Sequence, residues 1–497
     1  MPHGTAKRGL LVLGLIGALL LPALRSAQAT PADVTVGVDA GRAVGPVNPN
    51  LAGFAFDLRI DQPFFTPLGS KTYRLDAGLQ SMVKDCSTLA LDPGALANLQ
   101  SSIDEIQAAG AEPIVILTYM PPCLADVYPP WDPRDPTKAP PKSAAAWHQV
   151  ITELVDALGP QRANPVRYYE VWNEPDWFFF EGTQQQFISN VMTPAGTAVA
   201  EVARASGLDL RFGICGCLFA DPSWMIPLLS AAQQAQIPVG FVSWHYYGNY
   251  PFIGPDGVEP SFPSAVAPVV ALDGQHNPVA GPEQYRIQID QVRQWSQATL
   301  GRVPELAVDE WNLSAGGFDR RMDTNEGAAF QAAALAAMAS DNLDRAALFS
   351  AVDGYTNDIN GKPLPDRYGG WGVVDRTLAR KAAWYAQWLW QRLSGQHLDS
   401  PQDVAGGVWT AASRDGTRTD VLVASFQATG ASDRTLHLHL TGLPASQPQT
   451  VDLYRVDGTH DGDTVPTETT AATVAADGTL DLDTALPAQS VVLIELS

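Results

Sequence analysis

The chain has 497 residues, 45% of them hydrophobic and 9% aromatic, enough to bury more than one average domain core. Its 53 acidic residues outnumber the 31 basic ones, for a formal charge of −22. That field repels nucleic acid and anionic lipid and suits a neutral partner.

Residues 1–29 run from Lys7 and Arg8 through an apolar stretch, Gly9 to Leu24, to Ala27-Gln28-Ala29. Basic, apolar, then small-x-small is the order of a secretory signal peptide, which makes the mature protein secreted or periplasmic. Its removal takes Lys7, Arg8 and Arg25 and no acid, moving the charge from −22 to −25. A retained anchor is the other reading, although the run is short for a membrane span. No later segment is apolar enough to cross a bilayer, so no membrane contact is expected after cleavage.

Residues 30–50 hold one clean alternating strand, Asp33-Val-Thr-Val-Gly-Val-Asp39. Over residues 51–394 strands then alternate with helices. The strand candidates are Leu51–Phe56, Thr72–Leu75, Pro113–Thr118, Arg167–Trp172, Leu210–Cys215, Gly240–His245, Pro304–Asp309 and Arg345–Ser350. Helical patterns such as Ala144–Ala157, Gln184–Arg204, Gln284–Leu300, Glu326–Ala339 and Arg380–Leu393 separate them. Eight strands, most followed by a helix, predict an α/β fold, a (β/α)8 TIM barrel. A doubly wound open sheet would want a Gly-rich phosphate turn after an early strand, and none is present. Residues 395–497 change to alternating runs punctuated by Asp-Gly turns at Asp415, Asp457 and Asp477, the pattern of an all-β sandwich. The strand at Asp33–Asp39 has no place in the barrel and is expected to join that sandwich.

Of the four cysteines, Cys86 and Cys123 follow consecutive strands, and a bridge between them stays open on sequence alone. Cys215 and Cys217 share one strand face and read as small buried apolar residues. No cysteine spacing resembles a zinc site, so neither metal nor cofactor is expected. The run Asp457–Asp463 reads as a turn in preference to a calcium loop.

The chemistry concentrates in two stretches. In Arg167-Tyr-Tyr-Glu-Val-Trp-Asn-Glu-Pro-Asp-Trp177 a strand is stopped by Pro175, leaving Asn173 and Glu174 where it opens into a loop. Pro304-Glu-Leu-Ala-Val-Asp-Glu-Trp-Asn312 is a second short strand that ends in Glu310, Trp311 and Asn312. Barrel enzymes carry catalytic groups at such strand ends. Two carboxyls there suit glycosidic bond chemistry, one protonated to donate to the leaving oxygen and one ionised to attack the anomeric carbon. Around them Asn173 is placed to hydrogen-bond a sugar hydroxyl, and Arg74 to keep Glu310 ionised. His245 and Tyr247 are expected to orient Glu310, while Trp172, Trp177, Trp311 and Trp371 offer flat surface for a sugar ring. Glu170 and Asp309 read as ordinary ion-paired or solvated residues, and His437 and His439 as the solvent face of a strand.

Tyr169-Glu-Val-Trp-Asn-Glu-Pro-Asp176 resembles the acid/base signature of the large retaining glycosidase clan, specifically of glycoside hydrolase family 39. Leu117–Ala125 is similar to that family's strand 3 loop, Val308-Asp-Glu-Trp-Asn312 to its nucleophile strand, and Gly369–Asp375 with Arg380–Tyr385 to its closing loop and last helix. The resemblance covers roughly residues 50–395. It implies Glu174 as acid/base and Glu310 as nucleophile, with His245, Tyr247, Asn173 and Arg74 beside them. It also implies β-xylosidase, α-L-iduronidase or exopolysaccharide glycosidase activity. Two places depart from the family. Arg74 is followed by Leu-Asp-Ala-Gly, where its xylosidases tend to show Arg-x-His, and Phe349-Ser-Ala-Val-Asp353 lacks an expected tryptophan that Trp371 would replace.

The expectation is therefore a secreted retaining glycoside hydrolase acting on an oligo- or polysaccharide by double displacement, most like a β-xylosidase or exopolysaccharide glycosidase. The alternative is a carbohydrate-binding protein that keeps the barrel and no longer cleaves. The sugar, the linkage, exo against endo cleavage and the oligomeric state stay open.

Overall fold

The structure is a computed structural model that describes residues 33–56, 63–128, 131–249, 252–253, 260–261, 280–317, 319–354, 356, 363, 370–460 and 462–497. The signal-peptide reading therefore lies outside the described residues, as does most of the loop after Tyr247.

In chain order, β1 (Val34–Asp39) and β2 (Ala43–Pro46) precede the barrel strands β3 (Gly53–Ala55), β4 (Thr72–Asp76), β5 (Glu112–Leu117), β6 (Tyr168–Val171), β7 (Arg211–Cys217) and β8 (Val239–Tyr247). A short ribbon, β9 (Phe252–Ile253) with β10 (Pro260–Ser261), is followed by β11 (Glu305–Asn312) and β12 (Arg345–Leu348). Strands β3 to β8, β11 and β12 pair in parallel and close into the expected eight-stranded barrel. Its floor is filled by Ile114, Tyr168, Phe241 and Ala307, all buried from four different strands.

The helices between the strands start and stop where side chains say they should. Ser143 and Thr324 accept the N–H groups of Ala146 and Glu326 at the heads of Ala144–Leu158 and Asn325–Ser340. Left-handed Gly207 and Gly301 end two others. The predicted helix at Gln184–Arg204 is interrupted by a π-helical turn at Phe187–Met192 before Thr193–Ser206.

Beyond the barrel lie β13 (Gln396–Leu398), β14 (Val408–Asp415), β15 (Arg418–Ser425), β16 (Arg434–Thr441), β17 (Pro448–Val456), β18 (Glu468–Thr473), β19 (Leu480–Leu486) and β20 (Ser490–Leu496). They form a sandwich of a three-stranded sheet, β1-β16-β19, on a seven-stranded one, β18-β17-β20-β15-β14-β13-β2. As expected, β1 joins it, pairing in parallel with β16, and β2 pairs with β13. Alternation decides what each face buries. Val421, Val423, Val492 and Ile494 face the small sheet with Val34, Val36 and Val38, whereas Leu422, Ala424, Val491 and Leu493 join the barrel's cluster.

The helix Asn325–Ser340 is apolar all round, being Ala-rich and buried on every face between barrel and sandwich. Phe330 on that helix meets Phe426 edge-on at 5.2 Å, and Arg392 makes a two-pronged pair with Glu495 at 2.6 and 2.5 Å.

Cys86 and Cys123 are bridged, with Cα atoms 5.9 Å apart. Cys215 and Cys217 are fully buried as expected, but they are bridged to each other, where the sequence reads two small apolar residues. His437 and His439 lie on the sandwich surface and pair with Asp483 and Asp481. Asp457 caps a turn by accepting the N–H groups of Thr459 and His460.

Candidate active site

The strand ends converge at the C-terminal mouth of the barrel, and Arg74 on β4 sits at the centre. Its guanidinium is fully buried. It donates to Glu170 at 2.7 Å, to Glu310 at 3.2 Å and to the side-chain oxygen of Asn173 at 2.9 Å. Tyr247 on β8 donates its hydroxyl to Oε1 of Glu310 at 2.6 Å. His245 on the same strand places Nδ1 2.7 Å from Oε1 of Glu174 and 3.8 Å from Oε2 of Glu310. The sequence assigns His245 to orienting Glu310; in the structure it pairs first with Glu174, and Glu310 is oriented by Tyr247 and Arg74.

Backbone irregularities aim these groups. Trp172 and Glu174 both take left-handed φ values, 66° and 44°, a conformation that costs about 1–2 kcal/mol for a residue with a side chain. Together they reverse the chain around Asn173. The N–H of Glu174 is tied to the carbonyl of Gly216 at 2.7 Å. Gly216 itself has φ 50°, and a Cβ there would lie 2.6 Å from Oε1 of Glu170, so only glycine fits beneath the loop. Its N–H accepts no compromise either, donating to the hydroxyl of Ser243, which in turn donates to Glu170 at 2.6 Å.

On β11 the pairing with β8 slips between Val308 and Glu310. A bulge of this kind lets two consecutive side chains face the same way. Asp309 and Glu310 both point inward to Arg74, and Trp311 is sent outward.

The slip and the left-handed turn correct two expectations. Trp311 is fully buried and packs edge-on against Tyr285 of the helix Glu283–Leu300, away from the mouth. Trp172 is equally buried, among Trp147, Phe180 and Phe187, with its indole N–H on the carbonyl of Phe179. Neither ring offers a face to a sugar. Trp371 is half-buried and stacks edge-on with Phe349, which follows β12, and its carbonyl accepts from Asn312. Trp177 is half-buried beside the exposed Phe178.

Glu170 and Asp309 are ion-paired, as the sequence suggests, on the guanidinium of Arg74, but neither is solvated: both are fully buried under the site. Asp76, where family xylosidases tend to show histidine, accepts the hydroxyl of Thr118. The one signal for these residues is position: Glu170 lies on β6 four residues before Glu174, and Asp309 adjoins Glu310. Their burial needed the barrel to close.

The electrostatics separate the two glutamates. Burial pushes the Glu174 carboxyl well above its ordinary range, and the charges of Glu310 and Asp176 push it further. Burial raises Glu310 as well, and the Arg74 guanidinium and the Tyr247 hydroxyl offset part of that rise. Burial and Arg74 keep His245 neutral. Two carboxyls whose surroundings push them apart supply one acid and one anion. Among the described residues, Glu174, His245 and Glu310 bring donor atoms within 4.8 Å of one another, near enough to surround an ion. The buried cation of Arg74, already 3.2 Å from Glu310, repels a second one there, so the trio is suited to proton transfer.

Known proteins share this fold. The model of glycosyl hydrolases family 39 matches residues 95–424. A β-xylosidase of Caldicellulosiruptor saccharolyticus is 32% identical over 155 residues, and that stretch spans 30% of this chain and 30% of the relative. Among solved structures, a monomeric β-xylosidase from Caulobacter crescentus superposes with a TM-score of 0.70 at 20% identity, covering 93% of this chain and 99% of the other. A family 39 enzyme from Xanthomonas axonopodis pv. citri gives 0.70 at 20% identity, covering 96% and 99%. At these identities the structures establish the shared fold.

Proposed function

The chain belongs to glycosyl hydrolases family 39, and on that premise we propose that it is a secreted, retaining glycoside hydrolase using Glu174 as acid/base and Glu310 as nucleophile. The observation that carries the reading is the separation of the two carboxyls, whose facing oxygens lie within 4.8 Å. Retaining enzymes hold the pair about 5–5.5 Å apart and inverting ones about 6.5–9.5 Å, with room for a water.

In the first step Glu174, held protonated by burial, gives its proton to the leaving oxygen while Glu310 attacks the anomeric carbon. Arg74 and Tyr247 keep Glu310 anionic until the bond forms. In the second step Glu174, now a carboxylate, takes a proton from water as that water displaces Glu310. His245 fixes the Glu174 carboxyl through both steps, and the amide of Asn173, its oxygen anchored on Arg74, is left with its NH2 group for a sugar hydroxyl.

For substrate we propose a β-xyloside, supported by the named activity of the Caldicellulosiruptor relative. The leader over residues 1–29 supports export. The presence of both carboxyls and their ordered partners favours catalysis over binding alone.

Proton NMR of the earliest product from an aryl β-xyloside tests the scheme. Retained configuration is expected, and inverted product would remove Glu310 from the nucleophile's role. Absence of turnover across aryl glycosides and polysaccharides, with binding intact, would favour the non-cleaving alternative.

A further inference from the structure

Beneath the site the barrel holds more acid than base. Arg74 is met by three carboxyls, Glu170 at 2.7 Å, Glu310 at 3.2 Å and Asp309 at 3.4 Å. Glu170 also accepts the Ser243 hydroxyl, and Glu310 that of Tyr247. Asp309 is different: fully buried, with no hydrogen-bond donor on either oxygen. A carboxylate stripped of water and of donors is the costliest form a buried acid can take, and it escapes by holding its proton.

We propose that Asp309 is a carboxylic acid kept protonated at neutral pH, and that its neutrality keeps Glu310 ionised and nucleophilic. It touches no substrate and acts through Glu310, so it is a positioning residue, and the inference rests on the reading of Glu310 given above.

The proton has acceptors at hand. Glu170 meets the same nitrogen of Arg74 as Asp309 and lies in hydrogen-bond reach of Asp309, and Nε2 of His245, itself without a partner, lies 3.8 Å from the other oxygen. The charged and titratable groups facing this point are Arg74 and Asp76 from β4, Glu170 and Glu174 from β6 and its exit, and His245 and Tyr247 from β8, with Glu310 adjoining on β11. Burial and the charge of Glu170 push the Asp309 carboxyl well above the usual range. With Asp309 neutral, one guanidinium serves two carboxylates. Were it ionised there would be three, and the added repulsion would drive Glu310 towards its inactive acid form.

The full-length Asp309→Asn variant replaces a neutral acid by a neutral amide. The acidic limb of its kcat/KM profile is expected within about 0.3 unit of the wild type. An ionised Asp309 predicts otherwise: removing its charge would carry that limb about one unit or more towards acid, which would overturn the proposal. A second readout is independent of sugar and nucleophile. Infrared difference spectra of Glu174→Gln with and without Asp309→Asn should lose a protonated-carboxyl band that shifts in D2O, and loss of carboxylate bands instead would refute the idea. If Asp309→Asn does not fold, neutron diffraction of the wild type reads the site directly. A deuteron on Asp309 is expected, and a bare carboxylate would overturn it.

Discussion

Replacing Tyr247 by Phe removes one atom and one hydrogen bond, the 2.6 Å contact from its hydroxyl to Oε1 of Glu310. A hydrogen bond to a charged group is worth about 1.5–3 kcal/mol, and it favours the ionised form it serves. At 1.36 kcal/mol per pKa unit that converts to a rise of about one to two units in Glu310. The Glu310 side chain is 13% exposed, so water can replace part of the loss and the lower end applies. The sign follows from the role: Glu310 must be ionised to attack, so the acidic limb of kcat/KM in Tyr247→Phe should move to higher pH by about one unit. Tyr246→Phe is the control. Its ring points to the helix layer against Tyr285 and its hydroxyl is without a partner, so the limb should stay where it is. Initial rates on an aryl β-xyloside across the pH range give both limbs. A shift below about 0.3 unit in Tyr247→Phe would refute the assignment of Tyr247 as the group that holds Glu310 ionised.

Three further outcomes are expected. Glu310→Gln should abolish turnover on every substrate, whereas Glu174→Ala should regain activity on activated aryl glycosides with azide and yield a glycosyl azide of retained configuration; inverted azide from Glu174→Ala would mean the two roles are exchanged. Gly216→Ala should cost about 1–3 kcal/mol in a thermal melt and lower kcat, because its Cβ would press on Glu170 at 2.6 Å and on the carbonyl of Trp172 at 3.0 Å; unchanged melting and rate would refute the fit argued for that loop. Asp176 is pushed up to about 7 by burial, so the fold keeps its contribution fully at low pH and loses it as pH rises through that value. Asp176→Asn can still accept the N–H of Leu218, and its stability relative to the wild type should grow by about 2–4 kcal/mol between pH 4 and 8. A constant gap between the two melting curves would show that Asp176 does not titrate there.

The sequence by itself determined the alternation of strands and helices, the barrel and sandwich, and the strand ends that carry Glu174 and Glu310. Those properties are local: hydrophobic period, Pro175 after a strand, Asp-Gly turns and the spacing of repeated units each act within a few residues. It also determined that Val34–Asp39 belongs with the sandwich, because a lone alternating strand has one face that must be buried somewhere. Only the tertiary structure decided which side chains face the mouth. Strict alternation would place Trp172 on the inward face with Glu170, and only a left-handed φ turns it back under the helices. The same rule would put Asp309 and Glu310 on opposite faces, and only the slip against β8 brings both to Arg74 while sending Trp311 outward. A bulge and a strained turn leave little trace in one sequence, because they are stabilised by partners on other strands, here Gly216, Ser243 and Arg74. The proton balance of the site is decided at the same level, since a carboxyl's charge depends on how many others share its one guanidinium once the barrel has closed around them.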